Sequence, residues 1–213
     1  MLIDLHTHTY PISDDSLLSP DQLITEAKRS GLDGICITDH DRFWDPARVA
    51  ALSKEYRFHI FPGCEVTTEQ GHLLVFGLEE YIFGMHQAAF VRNLIDKAGG
   101  AMIVAHPYRR LFREVEPGTE PTYSSMVELA CENNVYALVD GIEVLNGRGS
   151  DSQNMFATEI SKRFDIKGIG SSDAHRLEDI GTYATKFRRS VETLSELIHE
   201  IKAGNFQPIA LNG

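Results

Sequence analysis

Short apolar runs recur along this chain, and several of them stop just before a histidine or a carboxylate. Such runs, separated by amphipathic segments, are typical of strands that alternate with helices in a parallel sheet. The pattern predicts strands over residues 2–5, 34–38, 58–61, 72–76, 101–105, 141–145 and 166–169, and a turn at residues 69–71 predicts that 72–76 is a hairpin partner of the strand before it. It predicts helices over residues 20–30, 45–56, 85–98, 124–132, 153–164 and 192–202. We therefore expect an α/β protein.

The polar residues at the strand ends indicate which α/β fold to expect. In closed (β/α) barrels, the functional side chains lie at the carboxyl ends of the strands. A full eight-unit barrel takes about 250 residues, and this chain has 213. The sequence thus predicts a distorted (β/α)7 TIM-like barrel that forms a single domain over residues 1–213. The loop from Tyr108 to Tyr123, rich in proline and glycine, is expected to form a lid or rim.

Two pairs of strand-end residues have the spacing of metal ligands. His6 and His8 are two residues apart, as are Asp173 and His175. Side chains at positions i and i+2 of a strand project to the same face, so each pair can point at one site. Imidazole and carboxylate ligands together suit zinc, manganese or iron(II). We expect both pairs to line a metal pocket.

Further candidate ligands follow other apolar runs. At three or four protein ligands per ion, nine ligands with one bridging carboxylate can hold three ions. Asp14 competes with Asp15 for one position, and Asp39 is expected to orient ligands rather than to bind metal. Cys64, next to Glu65, is expected to be a small buried residue rather than a nucleophile. The candidate metal ligands are His6, His8, Asp15, His40, Glu65, His72, His106, Asp173 and His175.

The order of these motifs resembles one known family. The segments are His6-Thr7-His8-Thr9, Ser13-Asp14-Asp15-Ser16, Thr38-Asp39-His40-Asp41, Gly63-Cys64-Glu65-Val66, Ala105-His106-Pro107 and Ser172-Asp173-Ala174-His175. Together they resemble the PHP (polymerase and histidinol phosphatase) family, over nearly the whole chain. The resemblance implies a distorted seven-unit barrel, two to three divalent ions (manganese, zinc or iron) and phosphoesterase activity, in a stand-alone member of the family.

The resemblance also implies how the ligands are shared. His6, His8, Glu65 and Asp173 would hold one ion, and Glu65 would bridge to a second ion bound by His106 and His72. Asp15, His40 and His175 would hold the third. A metal-activated hydroxide would then attack a small phosphate ester. Glu65, Asp173 and His175 would support that metal-bound water.

Arginines near the strand ends are candidates for substrate binding. Arg109 and Arg110 follow His106, and Arg148 follows Asn146. The guanidinium group matches two oxygens of a phosphate at once, so these residues could neutralise a phosphoryl group. Each could also be a solvated loop charge. The general acid for the leaving group is not identified by the sequence.

Composition limits the possible partners and location. The net charge of -11 opposes adhesion to long duplex nucleic acid or to anionic membranes. The chain has no apolar run of the roughly 20 residues that a membrane helix needs, and its first residues lack the features of a signal peptide. Three cysteines at unrelated spacings do not indicate a disulfide framework. We therefore predict a cytoplasmic protein acting on a small phosphorylated substrate, such as a nucleotide.

Three other functions fit parts of the pattern. The run of Arg109, Arg110 and Arg113 around Phe112 could grip a short oligonucleotide, which would make the protein an exonuclease or phosphodiesterase. An amidohydrolase-type metal hydrolase also begins with His-x-His, but it commonly uses a modified lysine where Glu65 stands. A non-catalytic regulatory barrel would lack ligands, and none of the positions is missing here.

Overall fold

Strands and helices alternate along the chain, as the sequence predicts. A computed structural model describes residues 1–114 and 121–211. Within them the strands are β1 (Leu2–Thr7), β2 (Gly34–Ile37), β3 (His59–Pro62), β4 (Cys64–Thr68), β5 (Gly71–Phe76), β6 (Ala101–Val104), β7 (Gly141–Asn146), β8 (Gly168–Ser171), β9 (Tyr183–Phe187) and β10 (Phe206–Ala210). The α-helices are α1 (Pro20–Arg29), α2 (Pro46–Tyr56), α3 (Ala88–Ala98), α4 (Tyr123–Cys131), α5 (Asp151–Phe164) and α6 (Leu194–Ala203).

The strands form two five-stranded sheets. Their orders are β10-β9-β1-β2-β3 and β4-β5-β6-β7-β8. Strands β1, β2 and β3 pair in parallel, as do β6, β7 and β8. Within the described residues, the hydrogen-bonded strand pairs thus form two separate sheets. The closed barrel stays a prediction.

Antiparallel pairs account for much of the difference from the predicted parallel sheet. β4 and β5 form the antiparallel hairpin that the turn at residues 69–71 predicts, and β5 also runs antiparallel to β6. β9 pairs antiparallel with both β1 and β10. β9 and β10 lie beyond the last of the predicted strands, near residues 166–169. Their sequences contain Lys186 and Pro208, which obscure the apolar pattern of a strand.

Local sequence signals set several helix ends. Ser19 and Gln22 form a capping box at the start of α1, directly before Pro20. Gly204 ends α6 in a left-handed conformation, with a φ of 65°. Helix α3 begins three residues later than predicted, after a turn at Gly84, whose φ is 110°. By setting where these helices begin or end, the signals also set where the connecting loops lie.

Apolar clusters fix the sheets and helices against one another. One cluster contains residues of both sheets, including Ile3, Leu74 and Ile103. A second lies between β5 and the helices α3 and α5, and a third between β2 and the helices α1 and α2. Both sheets are therefore held rigidly enough to position side chains at their ends.

The two sheets meet at single bridges outside the ladders. Thr7 at the end of β1 pairs with Ala174, and His40 pairs with Glu65 of β4. Gly63 makes the change of sheet between β3 and β4 possible, because a Cβ there would lie 2.8 Å from the Phe76 ring and 3.0 Å from Thr38. Both bridges contain or adjoin candidate metal ligands. The junction of the sheets is therefore also the candidate site.

Two predictions concern the loop after β6 and the character of the helices. In the predicted lid loop, residues 108–111 form turns, whereas residues 115–120 lie outside the described residues. Among the helices of the described chain, none has the length and apolar character that crossing a membrane requires.

Candidate metal centre

The central ligands come from the ends of four strands. His6 lies in β1 and Glu65 in β4, whereas His106 follows β6 and Asp173 follows β8. All four side chains are almost completely buried. His106 and Asp173 have φ values of 26° and 53°, in the left-handed region that non-glycine residues seldom adopt. Strained backbone of this kind is often found at functional sites.

Four buried atoms of His6, His8, Glu65 and Asp173 have no hydrogen-bond partner among the residues that the structure describes. They are Nε2 of His6, Nε2 of His8, Oε2 of Glu65 and Oδ1 of Asp173. The Nε2 atoms of His6 and His8 each lie 3.2 Å from Glu65 Oε2. They lie 3.4 Å and 3.3 Å, respectively, from Asp173 Oδ1. Burying unpaired polar atoms costs free energy, so this arrangement requires a further partner.

A divalent ion fits these four atoms. Around a tetrahedral ion with ligand distances of about 2.0–2.1 Å, neighbouring ligand atoms are roughly 3.3 Å apart. The measured separations of 3.2–3.4 Å between the imidazole nitrogens and the carboxylate oxygens match that value. Two imidazoles and two carboxylates are also a normal donor set for zinc, manganese or iron.

The other oxygen of Glu65 belongs to a second group. His72 Nδ1 and His106 Nε2 each lie 2.7 Å from Glu65 Oε1. The possible ligand atoms of Glu65, His72 and His106 lie within 4.8 Å of one another. Glu65 therefore faces two groups of imidazoles, one with each carboxylate oxygen.

A third group lies at the more exposed edge of the site. His8, His40 and His175 have ligand atoms within 4.8 Å of one another. Asp15, half of whose side chain is exposed, reaches His175 Nε2 at 3.1 Å and His40 Nε2 at 3.5 Å. Asp15, rather than Asp14, is therefore the acid that contacts these two histidines.

The buried charges of the site compensate one another. Burial would raise the pKa of the Glu65 carboxyl, but the charge of His6 and hydrogen bonds from His106 hold that pKa well below its usual value. Burial would also raise the pKa of the Asp173 carboxyl, but the positive charge of His6 outweighs burial and holds that pKa well below its usual value. Burial and the positive charge of His8 lower the pKa of His175 to about 4, so its imidazole is neutral at neutral pH. The two carboxylates therefore stay ionised, which metal binding requires.

Asp39 does not contact the metal-facing atoms, as the sequence predicts. It accepts hydrogen bonds from Thr9, Ser13 and Trp44, including 2.7 Å contacts from Ser13 Oγ and Trp44 Nε1. Ser13 Oγ in turn lies 3.2 Å from His8 Nδ1. Because the Ser13 hydroxyl proton is directed to Asp39, its oxygen accepts from His8 Nδ1–H. This leaves the lone pair of His8 Nε2 for a metal.

Two buried carboxylates of the site are not among the sequence-predicted residues. Glu143 of β7 accepts from His6 Nδ1 at 3.1 Å and from the His106 backbone N–H at 2.7 Å. Asp4 of β1 accepts from the backbone N–H of Ser172 at 3.1 Å and also from its hydroxyl group. Both acids lie inside apolar strand runs, Gly141–Asn146 and Leu2–Thr7. A charge within a buried run is the signal that could have identified them.

The candidate substrate arginines differ in position. Arg109 Nη2 lies 2.5 Å from Asp173 Oδ2, the oxygen that faces away from His6 and His8. Arg148 Nη1 lies 2.9 Å from His175 Nδ1. Arg110 is exposed and lines a cavity of about 550 Å³ beside His72 and His106. Arg109, Val104, Leu111 and Tyr136 also line this cavity.

Comparison with known proteins finds a family model that matches one part of the chain. Residues 151–206 match the family described as PHP-associated. Their helix, α5, leads into β8 and the candidate ligands Asp173 and His175. The matched segment is 56 of the 213 residues of the chain.

Sequence relatives match this chain over different lengths. An uncharacterized protein of Methanocaldococcus jannaschii, MJ1587, is 26% identical over 165 residues, covering 71% of this chain and 85% of that protein. A segment of 64 residues is 36% identical to an error-prone DNA polymerase of Nocardia farcinica, and it covers 30% of this chain and 6% of the polymerase.

Solved structures share the fold of this chain. A two-domain protein from Bacteroides vulgatus, containing a predicted PHP-like metal-dependent phosphoesterase, matches with a TM-score of 0.68 and 19% identity over 99% of this chain. The match spans 64% of the Bacteroides protein's length. An amidohydrolase from Chromobacterium violaceum with bound sulfate matches with a TM-score of 0.63 and 17% identity, over 98% of each chain. At these identities the likeness concerns the fold alone.

Proposed function

We propose that this protein is a metal-dependent phosphoesterase that hydrolyses a small phosphate ester at a trinuclear centre. The observation that carries the proposal is the set of four buried, unpartnered atoms at 3.2–3.4 Å spacings on His6, His8, Glu65 and Asp173. The Bacteroides vulgatus protein of the same fold contains a predicted PHP-like metal-dependent phosphoesterase, which supports this class of reaction.

The ligands would be shared among three ions. His6, His8, Glu65 and Asp173 would hold the first ion, and Glu65 would bridge to a second ion with His72 and His106. Asp15, His40 and His175 would hold a third. Because the first set joins residues of both sheets, we infer that residues 1–213 act as one domain.

Divalent ions in this centre would supply an acidified water molecule and positive charge for the phosphoryl oxygens. The residues around the centre would hold the ester in place. The free face of the Arg109 guanidinium is available for a phosphate oxygen, since its contact with Asp173 uses one amino group. Arg148 lies against His175 and would be a second cation for the phosphoryl group.

The leaving group would occupy the cavity beside His72 and His106. Its volume of about 550 Å³ falls within the roughly 300–1,000 Å³ of small-molecule sites. Its walls combine apolar side chains, such as Leu111 and Tyr136, with the cations Arg109 and Arg110. This lining suits a phosphorylated small molecule, including a nucleotide.

A substrate panel tests the proposal. Purified protein is loaded in turn with manganese, zinc and iron(II), and is then assayed on phosphomonoesters, phosphodiesters and short oligonucleotides. We expect hydrolysis of at least one small phosphate ester that a chelator abolishes. Turnover confined to oligonucleotides would favour an exonuclease instead, and no hydrolysis of any substrate with any metal would contradict the proposal.

A further inference from the structure

Glu143 is a fully buried carboxylate at the base of the candidate metal centre. Its Oε1 accepts hydrogen bonds from His6 Nδ1 at 3.1 Å and from the Ser171 hydroxyl. Its Oε2 accepts from the His106 backbone N–H at 2.7 Å and from Asn146 Nδ2 at 2.9 Å. These donors come from β1, β7, β8 and the loop after β6. One carboxylate thus joins four strand ends.

We propose that Glu143 is a positioning residue that sets the ligands of two metal subsites at once, so that one carboxylate governs metal affinity at both. The proposal rests on the metal-dependent function proposed above. Glu143 itself lies behind the ligands, because its contacts are with the far ring nitrogen of His6 and the backbone of His106.

The contact with His6 determines which ring nitrogen is free for a metal. A carboxylate at Nδ1 keeps that nitrogen protonated, so a metal ion can displace only the proton on Nε2 and binds through that atom. Nε2 is the atom that lies 3.2 Å from Glu65 Oε2 and 3.4 Å from Asp173 Oδ1. Glu143 therefore orients His6 toward the first subsite.

The contact with His106 determines the backbone that carries a ligand of the second subsite. His106 has a φ of 26°, a conformation that costs free energy for a residue with a Cβ. The short hydrogen bond from its N–H to Glu143 compensates for this strain. Held in this way, His106 Nε2 lies 2.7 Å from Glu65 Oε1.

Replacing the Glu143 carboxylate by an amide keeps the shape of the side chain but changes its charge and its hydrogen-bonding groups. In Glu143→Gln, only one end of the side chain can accept. The amide oxygen should stay with the His106 N–H, which can only donate, so the NH2 group faces His6 Nδ1 and the Ser171 hydroxyl, which can accept. Loss of a partner behind a metal ligand typically weakens metal binding about 10- to 100-fold. We expect a loss of this size at the first subsite, and a smaller loss at the second, where His106 keeps an acceptor but loses the carboxylate charge behind it. His72→Ala removes a ligand of the second subsite alone and should weaken one binding step only.

Competition between the protein and a chromophoric chelator for zinc measures the affinity of each step. The matched control is Glu159→Gln, a half-exposed acid of α5 paired with Arg163, which should bind zinc as the wild type does. Glu143→Asp keeps the charge but withdraws both oxygens by one methylene group. It should weaken zinc binding at both steps, and it replaces Glu143→Gln in the affinity measurement if that variant does not fold.

Nuclear magnetic resonance of the His6 ring supplies a readout that does not depend on metal. The wild type should show a slowly exchanging Nδ1–H of His6 with or without zinc, and Glu143→Gln should lose it. Wild-type zinc affinity in both Glu143 variants, or an unchanged Nδ1–H in Glu143→Gln, would overturn the proposal. If the wild type binds no zinc, the proposed function fails, and the Nδ1–H signal alone decides the role of Glu143.

Discussion

His8 Nε2 and Glu65 Oε2 lie 3.2 Å apart inside the protein, and neither atom has a hydrogen-bond partner within the described part of the chain. His8 is held in this position from behind by Ser13, and Glu65 lies at the bridge that joins the two sheets. The two atoms are thus fixed at a ligand-to-ligand distance by contacts that do not involve each other. Such preorganisation is what a metal site needs in order to bind tightly.

Removal of divalent ions should lower the thermal stability of the protein. An ion present at about 100 times its Kd adds about 2.7 kcal/mol to the free energy of unfolding. For a chain of this size, that change corresponds to a loss of about 5–10 °C in Tm. Differential scanning calorimetry with and without a chelator measures it. Adding back zinc or manganese should restore Tm, whereas sodium chloride should not, and equal Tm values in all samples would contradict a metal-stabilised site.

Glu65→Gln should abolish most of the activity because one residue serves two subsites. The amide preserves the shape of the side chain but removes its charge and one of its two ligand oxygens. We expect kcat/KM to fall by at least about 100-fold, equivalent to about 2.7 kcal/mol in the activation free energy, and fewer ions to be retained. Steady-state kinetics and elemental analysis measure both effects. Glu79→Gln, at an exposed position, is the control, and activity within twofold of the wild type in Glu65→Gln would count against the bridging role.

The sequence predicted the residues that meet at the centre better than the residues that hold them. Ligands such as His106 and Asp173 follow apolar runs, and this position alone places them at one edge of a sheet. Glu143 and Asp4 lie inside such runs, so a search for polar residues that follow the runs does not find them. Ser13 and Asp39 are 26 residues apart, and their contact depends on how the loops fold back. The division into two sheets depends on antiparallel pairing by β5 and β9, which hydrophobic periodicity does not specify.

Ser13→Ala should weaken metal binding without removing a ligand. The substitution deletes the acceptor for His8 Nδ1–H, so the orientation of the imidazole is no longer fixed. We expect a loss of about 10- to 100-fold in metal affinity. Trp44, the single tryptophan of the chain, donates to Asp39 beside Ser13, so its fluorescence during zinc titration can report binding. Ser190→Ala, at an exposed position, should titrate like the wild type, and an unchanged affinity in Ser13→Ala would exclude this role for Ser13.

Arg109→Ala should impair substrate binding while the metal ions remain bound. Arg109 contacts Asp173 Oδ2, whereas Oδ1 is the oxygen that faces His6 and His8, so the metal-facing atom keeps its position. A hydrogen bond to a charged group contributes about 1.5–3 kcal/mol, so kcat/KM should fall about 10- to 100-fold and inhibition by inorganic phosphate should weaken in parallel. Arg109→Lys should recover only part of this loss, because an ammonium group cannot contact Asp173 and two phosphate oxygens in one plane. The control is Arg113→Ala, which removes an exposed charge four residues away. If Arg109→Ala keeps the wild-type KM and phosphate inhibition constant, the arginine serves Asp173 alone, and the phosphate must be held by other groups.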